Sequence, residues 1–271
     1  MIVTFMVLGP HDEGGTTVTD AIETLRPVAE AAAPSALLLL AHGSLAPEAQ
    51  ESTRALARAV GSSLGSRVEV AFLRHSGPTA RQALGTLAGA GHERVVVVPL
   101  LLTSAFHARV DLPKALSDPP ARAPIVAPVV GGPTGVPDGR LVGALQRRLA
   151  ELDVAFDAVV LAAAGSVDVA ACSAVTAMAS ALGTALGLPC RAAFASATAP
   201  TPGEAVEALR RAGARRIAVA SYCFAAGLLF RVTVEAATAA GVVGVSHPLG
   251  DAPELVELVL ERFQQAGDTK A

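Results

Sequence analysis

From residue 36 onward, short and almost wholly apolar runs alternate with longer stretches whose apolar residues recur at helical spacing. Runs of that kind, rich in Val, Leu and Ala, read as strands buried on both faces, and the amphipathic stretches between them as crossover helices. Strands are predicted at 36–41, 68–73, 94–100 and 125–128, and again at 158–163, 190–195, 216–221 and 242–245. Helices are predicted at 47–60 and 78–90, each opening on a proline suited to a first helical turn, the second ending before Gly91. A further helix is predicted at 139–152, where Val142, Leu145 and Leu149 mark one face. Residues 117–137, dense in Pro and Gly, are predicted to form a loop-rich rim. Strand and helix in alternation imply α/β architecture with parallel sheets.

The two sets of strands are one pattern written twice. Ala41-His42-Gly43-Ser44 follows the first apolar run and Ala163-Ala164-Gly165-Ser166 the fifth, an offset of 164 − 42 = 122 residues. Without a gap, that offset sets Ala71-Phe72 against Ala193-Phe194, Pro78-Thr79 against Pro200-Thr201, Ala90-Gly91 against Ala212-Gly213, and Arg94 against Arg216. A duplication of this length predicts two tandem, similar α/β domains, 36–152 and 153–271, preceded by an extension over 1–35 with one predicted helix near 18–33. The second copy keeps glycines and core residues but has Ala164 opposite His42 and Leu229 opposite His107. The first copy is therefore expected to carry the chemistry and the second to hold shape.

Composition narrows the field of partners. A formal charge of −3 and a pI near 6.1 give no global basic field, so neither nucleic acid nor an anionic membrane is expected as the main partner. With 52% apolar but only 3% aromatic residues and no Trp, the cores must be built from Ala, Val and Leu. Cys172, Cys190 and Cys223 are odd in number and unclustered, which supports neither a disulfide framework nor a thiolate metal knuckle. The opening apolar stretch, 2–8, lacks a basic flank and reads poorly as a signal peptide, and no apolar run is expected to span a bilayer. A cytoplasmic protein is expected. Gly131-Gly132-Pro133-Thr134-Gly135 opens no clear helix, so no nucleotide is expected either.

Both histidines that distinguish the first copy follow predicted strands, so both imidazoles should emerge on the carboxyl rim of a parallel sheet, where open α/β sheets bind ligands. Neutral imidazoles without thiolates suit a divalent Fe, Co, Ni or Zn ion held openly enough to be released. Leu73-Arg74-His75-Ser76-Gly77 also invites comparison with the Arg-His-Gly nucleophile of histidine phosphatases, but it carries an inserted serine and follows the second strand rather than the first.

Strand, His42-Gly43-Ser44, the Pro47-Glu48-Ala49 helix start, the Ala71-Phe72-Leu73 strand end, and Val96 to Leu102 leading into Phe106-His107-Ala108-Arg109-Val110-Asp111-Leu112-Pro113 together resemble the sirohydrochlorin chelatases, the cofactor-independent class II tetrapyrrole chelatases. The resemblance is specific over 36–152 and degenerate over 157–263. It implies a chelatase-like pseudo-dimer of two α/β domains facing across a cleft, with His42 and His107 taking the metal and assisting its insertion. The implied substrates are a carboxylate-rich tetrapyrrole and Fe(II), with Co(II) as the close alternative, for sirohaem or cobalamin synthesis. No cofactor beyond that substrate metal is implied. Arg74 and Arg109, with Lys114 and Arg81 nearby, are candidate donors to the substrate's carboxylates, and Ser44, Thr103 and Ser104 candidate neutral donors.

This chain departs from the family in having Leu45-Ala46 where an Arg-Asp pair is frequent and Arg74-His75 where an acidic residue is common, leaving Glu48, Glu69 or Asp111 as carboxylate candidates. The segment from Ser221 to Arg231 replaces the histidine loop with apolar bulk, suited either to an opposite wall for the macrocycle or to a closed core. A covalent tandem supplies both walls within one chain, so a monomer is expected. Non-catalytic carriage of metal or tetrapyrrole is the alternative function, and a histidine phosphatase a more distant one.

Overall fold

The computed structural model of the protein describes residues 36–103, 107–132 and 136–267, the side chains of His107 and Ala108 excepted. The 1–35 extension therefore lies outside the described residues.

Two parallel sheets of four strands carry the fold. The first has the order β2-β1-β3-β4, from β1 (Ala36–Ala41), β2 (Glu69–Phe72), β3 (Val95–Leu100) and β4 (Ile125–Val126). The second repeats that order as β6-β5-β7-β8, from β5 (Ala158–Ala163), β6 (Cys190–Phe194), β7 (Ile217–Ser221) and β8 (Gly244–Val245). In each sheet the first strand of the half lies centrally, pairing in parallel with the next two, and a very short strand closes one edge. Short edges leave little unpaired backbone to template association. The predicted strands stand within a residue or two of their observed ends, except that both edge strands are shorter than expected.

Alternation along the central strands decides the layers. Leu37, Leu39 and Ala41 of β1, with Val96, Val98 and Leu100 of β3, face the same core as Val159, Leu161 and Ala163 of β5. Leu38 and Leu40 face the opposite way, onto α2 (Ala80–Gly89) and Leu112 at the start of α3 (Leu112–Ala115). The second sheet does the same: Val160 and Ala162 pack on Ala205, Val206 and Leu209 of α6 (Pro202–Arg211) and on Ala237 of α7 (Leu228–Ala239). Between the sheets lie α1 (Pro47–Leu64), α4 (Gly139–Ala150), α5 (Val169–Leu186) and α8 (Pro253–Gly267), whose buried faces join the strands' inner faces in one continuous core.

The halves exchange their last helices. α4, which closes the first half in sequence, packs on α5 and β7 of the second, while α8 returns from the chain's end to pack on α1, β3 and β4 of the first. Where they meet, Arg147 of α4 grips Glu254 of α8 through both carboxylate oxygens, and Arg140 pairs with Glu261. Residues 36–267 accordingly lie within one compact unit, and helix packing crosses the boundary at residue 152 that the repeat marks in sequence.

The duplication persists in backbone detail. Thr79 and Thr201 each cap their helix with a reciprocal capping box, completed by Gln82 and Glu204. His75 and Ala197 both adopt left-handed backbone, at φ 64° and 66°, and Gly43 and Gly165 sit at 94° and 89°. At these two glycines a side chain is forbidden by close approach: a Cβ on Gly43 would lie 1.8 Å from the Arg74 carbonyl oxygen, and one on Gly165 2.0 Å from that of Ser196. The loops leaving β1 and β2, and those leaving β5 and β6, thus run against each other beyond the strand ends.

One expectation needs correction. α5 has the length and apolar composition of a bilayer-crossing helix, although no run was expected to reach it. Its 18 residues are mostly Ala, Ser, Thr and other small types without a charge, and the helix packs on β6, β5 and α4, burying Val175, Met178 and Leu182.

Gly43→Ala should lower the unfolding free energy by at least about 2 kcal/mol, since both the positive φ and the contact with Arg74 oppose a methyl group. Gly89→Ala, at a position with open space around the new Cβ and an ordinary helical backbone, should be neutral or stabilising by up to about 1 kcal/mol. Urea denaturation of the two variants checks the contrast, and equal effects would refute it.

Candidate active site

The carboxyl ends of both sheets open into one cavity of about 820 Å³. Its floor is built from the last inward-facing side chains of the strands, Ala41, Phe72 and Leu100 from the first sheet and Ala163, Phe194 and Tyr222 from the second. The first turns of two inner helices complete it, Ala49 and Thr53 from α1 and Ala171, Cys172 and Val175 from α5, so the cavity lies where the two rims face each other past the shared core.

His42 enters from the loop after β1. Its carbonyl accepts from the Arg74 backbone N–H at 2.9 Å, and the Gly43 contact presses the loop onto residues 74–76. That approach brings a second imidazole into the site: the His75 ring stands edge-on to His42, 6.0 Å between centres at 83°, and both line the cavity. Ala197 holds the same left-handed turn in the second half without an imidazole, so turn geometry does not explain the histidine. The 122-residue offset, by which 75 maps onto 197, carried this signal in the sequence: His75 is lost from the second copy as His42 is.

Of the other residues singled out from sequence, Ser44 and Thr103 line the cavity. Ser44 also has a local duty, since its Oγ accepts from the Ala46 N–H at 3.1 Å, as Ser166 Oγ accepts from the Asp168 N–H at 3.0 Å in the half that has Ala164 in place of His42. His107 opens a π-helical turn, His107–Asp111, just beyond β3 on the same rim. Such turns are frequent at functional sites. Its side chain, and Ser104 entirely, lie outside the described residues. Neither Arg74 nor Arg109 is among the lining residues. Arg74 pairs with Asp111 at 2.8 Å, a hydrogen bond that together with the carboxylate's charge raises its pKa further, and Arg109 pairs with Asp168 across the two halves. Arg81 pairs with Asp118. The carboxylate candidates Glu48, Glu69 and Asp111 do not line the cavity either. Among the described residues, no three His, Cys, Asp or Glu side chains converge as a metal site.

The opposite side is apolar. Tyr222, Cys223, Phe224, Leu228, Leu229 and Phe230 line it, which makes this segment a cavity wall rather than a closed core. Burial pushes the Cys223 thiol up to about 12, so at neutral pH it is protonated and a poor metal ligand. The site therefore offers imidazoles on one face and a flat, apolar surface on the other.

Two sheets of this order, facing across a cavity with histidines on one rim, define the chelatase type of α/β protein. The fold matches that of SirB from Bacillus subtilis with Fe3+ at a TM-score of 0.72 and 22% identity, over 87% of this chain and 96% of that one. It matches that of CbiX, the terminal enzyme for biosynthesis of siroheme in denitrifying bacteria, at 0.60 and 22%, over 85% and 99%. The sequence model of the CbiX family matches residues 36–152 and 158–266, and the chain belongs to the CbiX family. Among curated relatives, the sirohydrochlorin ferrochelatase of Bacillus subtilis is 32% identical over 136 residues, which are 49% of this chain and 52% of that protein. The sirohydrochlorin cobaltochelatase of Saccharolobus solfataricus is 39% identical over 80 residues, 30% and 62% of the two. The chain thus spans about half the length of the ferrochelatase relative it matches.

Asp168 is held below the ordinary carboxylate range by the backbone N–H groups of Ala171 and Ala170 and by Arg109, against the opposing cost of desolvation. A carboxyl whose folded pKa is depressed binds fewer protons folded than unfolded, so its stabilisation is present above its unfolded pKa, about 3.9, and is lost as pH falls through the folded value. Asp168→Asn keeps the helix cap and removes the charge. The difference in unfolding free energy between the native chain and this variant should be constant near neutrality and shrink on acidification below about pH 4. A difference that grows toward low pH would contradict this pairing.

Proposed function

We propose that this protein inserts a divalent metal into sirohydrochlorin, Fe(II) first and Co(II) as the close alternative, on the way to sirohaem or cobalamin. The observation that carries the reading is the asymmetry of the cavity: His42 and His75 on one rim, with His107 opening the adjacent turn, and an aromatic and aliphatic wall across from them. Insertion breaks pyrrole N–H bonds and forms metal–nitrogen bonds in their place, so each leaving proton needs an acceptor and the incoming ion needs a holder that lets go. Neutral imidazoles meet both needs, accepting a proton or donating a lone pair to a borderline metal. The apolar wall gives the ring a face to lie on, which fixes the macrocycle against the histidine rim.

His42 and His107 are assigned as metal-handling and proton-accepting residues, and His75 as an additional imidazole beside His42. Ser44, Thr103 and Ser104 are assigned as neutral donors to the substrate, and Arg74 and Arg109 as cations framing the entrance. We further infer a cytoplasmic monomer, because the covalent repeat supplies both walls of the site. The domain reading of 36–152 as the chemical half and 153–271 as the supporting half rests on the same asymmetry, with the exchanged helices α4 and α8 tying them together. The relatives named ferrochelatase and cobaltochelatase support the reaction class. A phosphatase role for Arg74-His75 is disfavoured by the Arg74–Asp111 pair, which occupies the guanidinium, and by the absence of Arg74 from the residues lining the cavity.

Anaerobic absorbance of sirohydrochlorin with Fe(II), Co(II) or Ni(II) tests the proposal. The native chain should outpace spontaneous insertion, and His42→Ala and His107→Ala should each lower the rate by about a hundredfold or more. His75→Ala should raise the metal concentration needed for half-maximal rate by about tenfold while leaving residual turnover. Insertion no faster than the spontaneous reaction with every ion, alongside tight and slowly released binding, would instead identify a carrier.

A further inference from the structure

The repeat allows the two rims to be compared residue by residue. In the first half Arg109 reaches Asp168, the N-cap of α5 in the second half. The 122-residue offset maps Arg109 onto Arg231 and Asp168 back onto Ala46. The arginine stands in both copies, but the position that carries its carboxylate partner in one is an alanine in the other. Ala46 is the N-cap of α1 and supplies no side-chain cap, whereas Asp168 accepts from the N–H groups of Ala170 and Ala171.

Arg231 is accordingly left in a different state from its twin. It is exposed on the first turn of α7, lines the cavity, and takes part in no ion pair among the described residues. Among the described residues it is also the only Arg, Lys, Asp or Glu lining the cavity. The turn that carries it abuts the opposite rim: a Cβ on Gly227 would lie 3.5 Å from Ser44 Oγ. Gly227 caps α7 without a side-chain acceptor, so the backbone N–H groups that open this 12-residue helix also border the cavity.

We propose that Arg231 is a substrate-anchoring residue that binds a peripheral carboxylate of the macrocycle and thereby seats the ring on the apolar wall. The proposal rests on the reading of this cavity as a sirohydrochlorin site. A guanidinium presents paired donors in the plane a carboxylate needs, and beside an apolar wall that pair is less diluted by water than on an open surface. Loss of the partner at position 46 is what makes the cation available: with a carboxylate there, pseudo-symmetry predicts an internal pair like Arg109–Asp168. Ala46→Asp therefore tests the mechanism without touching the arginine, and it should cap α1 as Asp168 caps α5.

The experiment is titration of metal-free sirohydrochlorin against the native chain, Arg231→Ala, Arg231→Lys and Ala46→Asp, read by the ligand's own emission, with a thermal melt of each variant and the insertion rate of the native chain. Arg231→Ala should weaken binding roughly tenfold, and Arg231→Lys should recover part of it. Ala46→Asp should also weaken binding while melting no lower than the native chain. If Arg231→Ala and Ala46→Asp, both folded, bind within twofold of a native chain that binds and metallates sirohydrochlorin, the anchoring role is refuted and the chelatase reading stands. If the native chain neither binds nor metallates sirohydrochlorin, the chelatase reading itself fails and takes the anchor with it.

Discussion

The core shared by the two sheets is the constraint on which everything else in this protein depends. The inner faces of β1, β3, β5 and β7 cannot be covered by their own half alone, because each half sends its closing helix to the other sheet. Burial of that apolar surface, which contributes on the order of 25 cal/mol per Å², therefore also sets the distance and angle between the two carboxyl rims. The cavity follows from this packing. It lies where the first turns of α1 and α5 and the strand-end residues Ala41, Phe72, Ala163 and Phe194 come together.

On that frame, duplication and divergence divide the labour. Features common to both halves serve the fold: the Gly43 and Gly165 contacts, the paired capping boxes, the Ser44 and Ser166 turns. Of the features present in one half alone, His42, His75 and Arg231, which takes part in no ion pair among the described residues, line the cavity. His42, His75 and His107 have Ala164, Ala197 and Leu229 as counterparts, and Arg231 has a twin whose carboxylate partner it lacks.

Membership of the CbiX family agrees with this division. The match covers both halves, although His42 and His107 have Ala164 and Leu229 as their counterparts in the second. Burial keeps the Cys223 thiol protonated and raises the Tyr222 pKa as well, so the second wall contributes surface rather than charge, except at Arg231.

Most of the fold was legible in the sequence because its signals are local. Strand runs, proline starts, the glycine after α2 and the repeat offset each depend on a few neighbouring residues, and the central strands fall where the apolar pattern puts them. The placement of His42 on a carboxyl rim was legible for the same reason. What the sequence could not show is which charged side chains answer each other over long separations. Arg74 and Arg109 read as donors to a substrate, yet they close on Asp111 and Asp168, because the nearest carboxylate is set by how the loops meet and not by spacing along the chain. His75 stands exposed in a left-handed turn, as a residue between strand and helix would, and the close approach permitted by Gly43 also sets it beside His42 at the cavity. The sequence alone determined the strands, the helices at 47–60, 78–90 and 139–152, the parallel α/β class and the duplicated plan, since hydrophobic period and turn chemistry act within a few residues. Only the tertiary structure decided the helix exchange, the facing of the two rims and which charged side chains pair, since these depend on contacts between segments well separated along the chain.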